Sequence, residues 1–187
     1  MSVDPKEKEL LEGCKAGKPA AQKALYTRFA GEMLVVCMRY TKSKSEAEDI
    51  LQEAFIRIFR SVEGFRGESS LFFWVKRIVV NTALNHYRKN KRHLYLVSDE
   101  SEEYEQVSPQ SLLADMHWKD LLLMIQELPW GCQQIFNLYA IEGYTHKEIA
   151  EMLEISEGTS KSQFSRARQL LQARIGKEKS RNYGTAG

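Results

Sequence analysis

Apolar side chains recur along the first half of the chain at the three- and four-residue spacings of an α-helix. Leu25, Phe29, Met33, Val36 and Tyr40 form one stripe; Ala47, Ile50, Leu51, Ala54, Phe55, Ile58, Phe59 and Val62 form a second. The second predicts an amphipathic helix with one buried face. Ser45 is its expected N-cap, with Glu46, Glu48 and Asp49 in the first turn, where the helix dipole favours negative charge. Gly64 and Gly67 interrupt the pattern in the polar loop GFRGESS. A third helix is expected from about Ser70, with Leu71, Trp74, Val75, Ile78 and Thr82 on one face, ending at the run Arg88-Lys89-Asn90-Lys91-Arg92. Prolines stand only at 5, 19, 109 and 129, and no glycine lies between 68 and 130. Long helices are therefore unobstructed. No segment alternates for long enough to predict a strand, so the fold class is all-α.

From about 94 to 112 the helical pattern fails. Asp99, Glu100, Glu102, Glu103 and Glu105 mix with serines, and Pro109 follows, which reads as an acidic linker. Beyond it, Leu112 to Leu128 carries an apolar face that stops at Pro129, and a helix from about Cys132 to Ile141 ends at Gly143. Thr145-His146-Lys147-Glu148 reads as a capping box opening a helix with Ile149, Ala150 and Leu153 inward. Glu154-Ile155-Ser156 makes a tight turn, and Ser156 caps a last helix with Phe164, Ala167, Leu171 and Ile175 inward. A short helix, a three-residue turn and a longer basic helix is the helix-turn-helix pattern.

Composition narrows the classes. At 187 residues and 43% hydrophobic, the chain holds one ordinary domain or two small ones with packed cores. The longest apolar run, Met33 to Met38, is far below the roughly 20 residues of a membrane span. The N-terminal stretch MSVDPKEKELLEG lacks an apolar signal core, so neither membrane insertion nor secretion is expected. Three scattered cysteines, Cys14, Cys37 and Cys132, argue against a disulfide framework or a zinc site, and a cytoplasmic location is the default. No phosphate-binding loop, nucleophile elbow or zinc-protease motif occurs, and His86, His93, His117 and His146 are isolated. No enzyme, metal, cofactor or small-molecule substrate is expected.

The net charge of +2 hides a strong segmentation. Residues 61–93 carry seven Lys/Arg against two Asp/Glu, and residues 156–187 carry the same numbers. Residues 94–120 carry one against seven, and 121–155 one against five. Two basic segments flank an acidic one, an asymmetry that points to nucleic acid more strongly than the total does.

At 100° per residue, Thr159, Ser162, Gln163, Ser165 and Arg166 of the last helix point outward or flank its inward face, with Lys161 and Arg168 near the edges. Arg, Gln and Ser reach base edges in a major groove and edge cations suit phosphates; the bland alternative is a solvated face. In the third helix, Arg77, Asn81, Leu84 and Arg88 fall on one stripe, which either contacts nucleic acid or is ordinary polar surface. The loop before it, with Phe65, Arg66, Glu68, Ser69 and Ser70, leads into Phe72, Phe73 and Trp74. Such aromatics beside cations stack unpaired bases, or else belong to the core. The acidic group Glu46, Glu48, Asp49, Gln52 and Glu53 would repel DNA and suits a basic protein partner, or serves only the helix dipole and solubility.

Together these motifs resemble the sigma-70 family of bacterial RNA polymerase specificity subunits, and most closely its compact extracytoplasmic-function (ECF) group. The stretch EAEDILQEAFIRIFRSVEGFRGESSLFFWVKRIVVNTALNHYRKNKR resembles the promoter-melting domain. IQELPWGCQQIFNLYAIEGYTHKEIAEMLEISEGTSKSQFSRARQLLQ resembles the second, helix-turn-helix domain. The resemblance implies a region 2 domain over 1–93, an acidic linker over 94–115, a region 4 domain over 116–180 and a flexible tail over 181–187. It implies that Asp49, Gln52, Glu53 and Arg57 bind the clamp coiled coil of the polymerase β′ subunit. It implies that Phe65, Arg66, Glu68, Ser69 and Ser70 capture a flipped base of the −10 element, a step that costs a few kcal/mol and is offset only for the favoured base. Arg77, Asn81, Asn85 and Arg88 would read and hold that element. Thr159, Lys161, Ser162, Gln163, Ser165 and Arg166 would read the −35 element as duplex. The implied partners are core RNA polymerase, through the β′ clamp and the β flap, promoter DNA, and a membrane-tethered anti-sigma factor. The linker would thread the polymerase cleft.

The chain departs from the family pattern in places. Ser160 stands where a buried Val is usual, Trp130-Gly131-Cys132 replaces a Pro-Arg-type run, and Gln163 stands where Arg is frequent. The rival readings are a stand-alone helix-turn-helix regulator, a helical adaptor and a nucleic-acid enzyme. The first leaves residues 46–92 without a role, and the last has no catalytic residues in its favour.

Overall fold

The computed structural model describes residues 5–94 and 116–183, and every regular element among them is helical. The chain divides into two compact units, Met1–Ser108 and Pro109–Gly187. The expected acidic linker, apart from Leu94 at the end of a helix, lies outside the described residues, as do 184–187 of the expected tail.

The first unit holds α1 (Pro5–Lys15), α2 (Pro19–Tyr40), α3 (Lys44–Ser61), a 3₁₀ turn (Val62–Gly64) and α4 (Leu71–Leu94). Sequence periodicity does not reveal α1, because little of it is apolar: among its described side chains only Leu11 and Cys14 are buried. It ends on Gly17, whose φ of 67° closes a Schellman motif. The Gly17 N–H donates to the Cys14 carbonyl and the Lys18 N–H to the Gly13 carbonyl, each at 3.0 Å. Pro19 then opens α2 at a position where its missing N–H costs nothing. Helices α1 and α2 approach closely at Gly13, where a Cβ would stand 2.6 Å from the Ala21 Cβ.

Helix α2 packs on both α3 and α4, which also pack on each other. The expected stripe Leu25, Phe29, Met33, Val36 and Tyr40 is buried, as are Ala47, Ile50, Leu51, Ala54, Phe55, Ile58 and Val62 from the next one. Two expectations are corrected. The N-cap of α3 is Ser43, not Ser45. Ser43 has extended backbone and its hydroxyl accepts from the Glu46 N–H at 3.2 Å, while the Glu46 carboxylate accepts from the Lys42 N–H at 3.2 Å. In α4, Leu84 falls on the same line as Arg77 and Asn81 but is buried where they are exposed. It lies one turn beyond Val80, and both are buried. The inward face is Leu71, Val75, Val79, Val80, Thr82, Ala83 and Leu84, while Trp74 and Ile78 are half-buried at its margin.

The second unit holds α5 (Met116–Gln126), α6 (Trp130–Phe136) continuing into a π turn (Asn137–Ile141), α7 (His146–Leu153) and α8 (Glu157–Tyr183). Met124, Leu128, Cys132, Ala167 and Leu171 form a core cluster against which Phe136 and Leu170 pack. The expected capping box is present: the Thr145 hydroxyl accepts from the Glu148 N–H at 3.2 Å and the Glu148 carboxylate accepts from the Thr145 N–H at 2.8 Å. Helix α7 ends on Glu154 in the left-handed region (φ 56°), at a cost of about 1 kcal/mol for a residue with a Cβ. That conformation turns the chain sharply, and the Ser156 hydroxyl accepts from the Thr159 N–H at 2.9 Å to cap α8. Ile175 is a further correction. It is 39% exposed, since the apolar stripe of α8 outlasts the surface that covers it; Leu171, one turn earlier, is buried.

The Ser43 cap yields a direct check. Ser43→Ala should lower the unfolding free energy by about 1 kcal/mol and Ser45→Ala by less than about 0.5 kcal/mol, measured by urea denaturation. The reverse order would place the cap at Ser45.

Candidate nucleic-acid interface

Burial of the apolar stripe of α3 turns the opposite face outward. Asp49 and Gln52 are exposed on it, and Glu53 and Arg57, both half-buried, pair at 2.5 Å. An i,i+4 pair at this exposure contributes no more than about 0.5 kcal/mol to the helix. It does cancel two charges locally, leaving Asp49 and, three turns along the same side, Arg60 as exposed charges of the face. Ile56 lies on the same side and is 51% exposed. Sequence reading missed it, because an aliphatic beside Phe55 reads as core; only its position on the helical wheel separates the two.

The loop between the 3₁₀ turn and α4 is built from beneath. Phe65 is buried, with its ring 5.2 Å from that of Trp74, so it holds the loop and does not present a face to solvent. Arg66, Glu68, Ser69 and Ser70 are exposed around it. The Ser70 hydroxyl accepts from the Phe73 N–H at 3.4 Å, which caps α4. Along α4, Arg77 and Asn81 are exposed, and Asn85 and Arg88 half-buried; the Arg88 guanidinium donates to the Asn85 carbonyl oxygen at 3.4 Å. Spacings of four, four and three residues set these four side chains in one line. Phe73, 62% exposed, heads the line one turn earlier and stacks edge-on with Phe72. The sequence reading put Trp74 on the inward face of this helix and left Phe73 among the aromatics that either stack bases or belong to the core; the structure exposes Phe73.

In the second unit, Thr159, Lys161, Ser162, Ser165 and Arg166 of α8 are exposed. Lys161 pairs with Glu157 at 2.7 Å, and its hydrogen bond and charge hold the Glu157 carboxyl below its ordinary value. The Thr159 hydroxyl lies 2.8 Å from that of Ser156, and the Ser162 hydroxyl donates to the Thr159 carbonyl at 3.0 Å. Gln163 differs from its neighbours. It is half-buried, and its carbonyl oxygen accepts from the Cys132 thiol of α6 at 3.0 Å. Ser160 is fully buried, 2.9 Å from His146 Nδ1. The His146 ring stacks on Tyr139 at 4.2 Å.

The three cysteines are buried, and burial pushes every thiol up from its ordinary value, that of Cys37 to about 12. None is a ready nucleophile. Among the described residues, no His, Cys, Asp and Glu side chains gather in a metal-binding group, and no helix is long and apolar enough to cross a membrane.

Two family descriptions match. "Sigma-70 region 2" covers residues 25–93, and "Sigma-70, region 4" covers residues 118–171. The chain is 28% identical over 186 residues to the ECF RNA polymerase sigma-E factor of Haemophilus influenzae, covering 94% of this chain and 98% of that one. It is 27% identical over 182 residues to the RNA polymerase sigma-H factor of Pseudomonas aeruginosa, covering 91% and 94%. It is also 27% identical over 186 residues to the ECF RNA polymerase sigma-E factor of Escherichia coli K12, covering 94% and 97%. Among solved structures, the sigma factor RpoE in complex with the anti-sigma factor NepR from Bartonella quintana has the same fold. Its TM-score is 0.54 at 19% identity, over 82% of this chain and 96% of that one. The chain therefore belongs to the sigma-70 family of transcription initiation factors, in its ECF group.

The capping box that opens α7 carries a pH signature. Hydrogen bonds from the backbone and side chain of Thr145 hold the Glu148 carboxyl below its ordinary 4.5. A depressed folded value means the contribution is complete above 4.5 and lost as pH falls through the folded value. The Glu148 carboxyl, followed by NMR, should titrate below 4.5 and return towards it in Thr145→Val. An unshifted wild-type titration would remove the box from solution.

Proposed function

We propose that this chain acts as the promoter-specificity subunit of a bacterial RNA polymerase, with α3 of the first unit docking on the polymerase and α4 and α8 contacting promoter DNA. The observation that carries this reading is the line Arg77, Asn81, Asn85 and Arg88 on α4, adjoining the exposed loop of Arg66, Glu68, Ser69 and Ser70. Amides and guanidinia there offer hydrogen bonds to base edges and phosphates, and the loop offers a rim for an extruded base. Phe65 supports that rim through its packing on Trp74.

On α3, Asp49, Gln52, Glu53 and Arg57 form the polymerase-binding face, whose acidic character suits a basic coiled coil. On α8, Thr159, Ser162, Ser165 and Arg166 contact base edges in the −35 major groove. Lys161 contacts phosphate once it leaves Glu157, and Gln163 contributes from the edge. The region 2 domain is assigned to 1–93, the linker to 94–115 and the region 4 domain to 116–180. The protein is not itself an enzyme and needs no cofactor. It works in the bacterial cytoplasm, where polymerase and promoters are, and an anti-sigma factor holds it inactive by covering its polymerase-binding surfaces.

The test is to combine the purified chain with core polymerase and a promoter library and to map transcript starts. Specific initiation is expected; absence of core binding and of specific starts would overturn the reading. Two variants separate the DNA contacts. Arg166→Ala should weaken −35 binding by about 1–3 kcal/mol if the guanidinium is bidentate on guanine, read by footprinting of the holoenzyme. Asn81→Ala should lower permanganate reactivity of the −10 region more than it lowers closed-complex binding. Unchanged footprints or unchanged reactivity would remove the corresponding role.

A further inference from the structure

The reading end of α8 has almost no apolar anchorage. Over residues 157–163 the sequence is EGTSKSQ; the only buried side chain is Ser160, and Gln163 is half-buried. Apolar packing begins at Phe164 and becomes full burial at Ala167 and Leu171. The first two turns, which carry Thr159, Ser162 and the approach to Arg166, are therefore located by something other than the core.

Two polar contacts fill that role. Ser160 Oγ lies 2.9 Å from Nδ1 of His146, the first residue of α7, so this contact spans the helix-turn-helix corner. The His146 ring is fixed in turn, stacked on Tyr139 with 12° between planes and edge-on to Phe164. One helical turn away, the Gln163 amide accepts from the buried Cys132 thiol of α6 at 3.0 Å. Its oxygen also passes over Gly131, where an added Cβ would stand 3.6 Å away. The three departures noted from the sequence, Ser160, Gln163 and Trp130-Gly131-Cys132, thus meet partners here. A hydrogen bond fixes direction as well as distance, which apolar contact does not.

We propose that His146 and Cys132 are positioning residues for −35 recognition, orienting the reading end of α8 through Ser160 and Gln163. The inference rests on the assignment of α8 to the −35 element. His146 and Cys132 have no base to read; they act only through the helix they hold.

The test uses the full chain bound to core polymerase. The readout is a discrimination ratio: affinity for a promoter with its cognate −35 element over affinity for the same promoter with that element substituted. His146→Phe keeps the ring stack and removes the bond to Ser160. It should reduce the ratio about fivefold, the scale of one neutral hydrogen bond. His146→Asn keeps a hydrogen-bonding atom near the Nδ1 position and should stay within about twofold of wild type. Cys132→Ala should reduce the ratio and Cys132→Ser restore it. Ser160→Ala breaks the same bond from the α8 side if His146→Phe fails to fold. A folded His146→Phe or Ser160→Ala protein with the wild-type ratio would overturn the proposal. So would a wild-type His146 ¹⁵N spectrum lacking a hydrogen-bonded Nδ1. A wild-type holoenzyme that makes no distinction between −35 sequences would instead overturn the assignment of α8 itself.

Discussion

Helix α3 touches both α2 and α4, and its buried stripe of Ala47, Ile50, Leu51, Ala54, Phe55 and Ile58 is what lets the three helices share one core. Each large side chain in that stripe contributes about 1.5–3 kcal/mol relative to leaving it in water. The alanines let the neighbouring helices come close. Since the helix turns 100° per residue, burying this set compels Asp49, Gln52 and Ile56 to face out. The same compulsion acts on α4, where Val75 and Val79 go in and Arg77 and Asn81 are left out. The proposed binding faces of the first unit are thus the complement of its core, and a substitution that rotated α3 or α4 would displace the outward side chains of that helix together.

The second unit solves the same problem with a different currency of contact. Its helix α8 has a narrow apolar stripe, and at its N-terminal end even that gives way to Ser160 and Gln163. Ser160 is fully buried, so its hydroxyl needs a partner, and His146 supplies one. That coupling makes the corner between α7 and α8 sensitive to single polar groups in a way that the first unit is not.

What the sequence made legible follows the range of the interactions involved. The long stripes of α2 and α3 and the capping box at Thr145 are local patterns, and each lies where periodicity or spacing put it. The errors have local causes as well. Ser43 and Ser45 stand two apart, both before acidic residues, and composition alone did not separate them. Leu84 was drawn to the polar stripe by its spacing from Asn81, although it is equally one turn from Val80. The pairs His146–Ser160 and Cys132–Gln163 join residues 14 and 31 apart along the chain, and no periodicity links them. Phe73 and Ile56 are apolar residues beside buried ones, and only their place on the helical wheel, outside the inward stripes, marks them as exposed.

Charge completes the account. Arg57, Lys161 and Arg174 are tied to Glu53, Glu157 and Glu127. Arg66, Arg77, Arg166 and Arg168, on the loop, on α4 and on α8, enter no ion pair among the described residues. A cation without a local partner meets a phosphate without first giving up a carboxylate, and each such contact releases a condensed counterion. Each unit offers only a few, so on the proposed reading neither binds promoter DNA tightly alone. Holding both units on one polymerase raises the effective concentration of the second contact once the first has formed. The total of +2 therefore understates the DNA-binding capacity on that reading, because residues 94–155 carry twelve Asp/Glu against two Lys/Arg and lie outside the proposed reading helices in sequence.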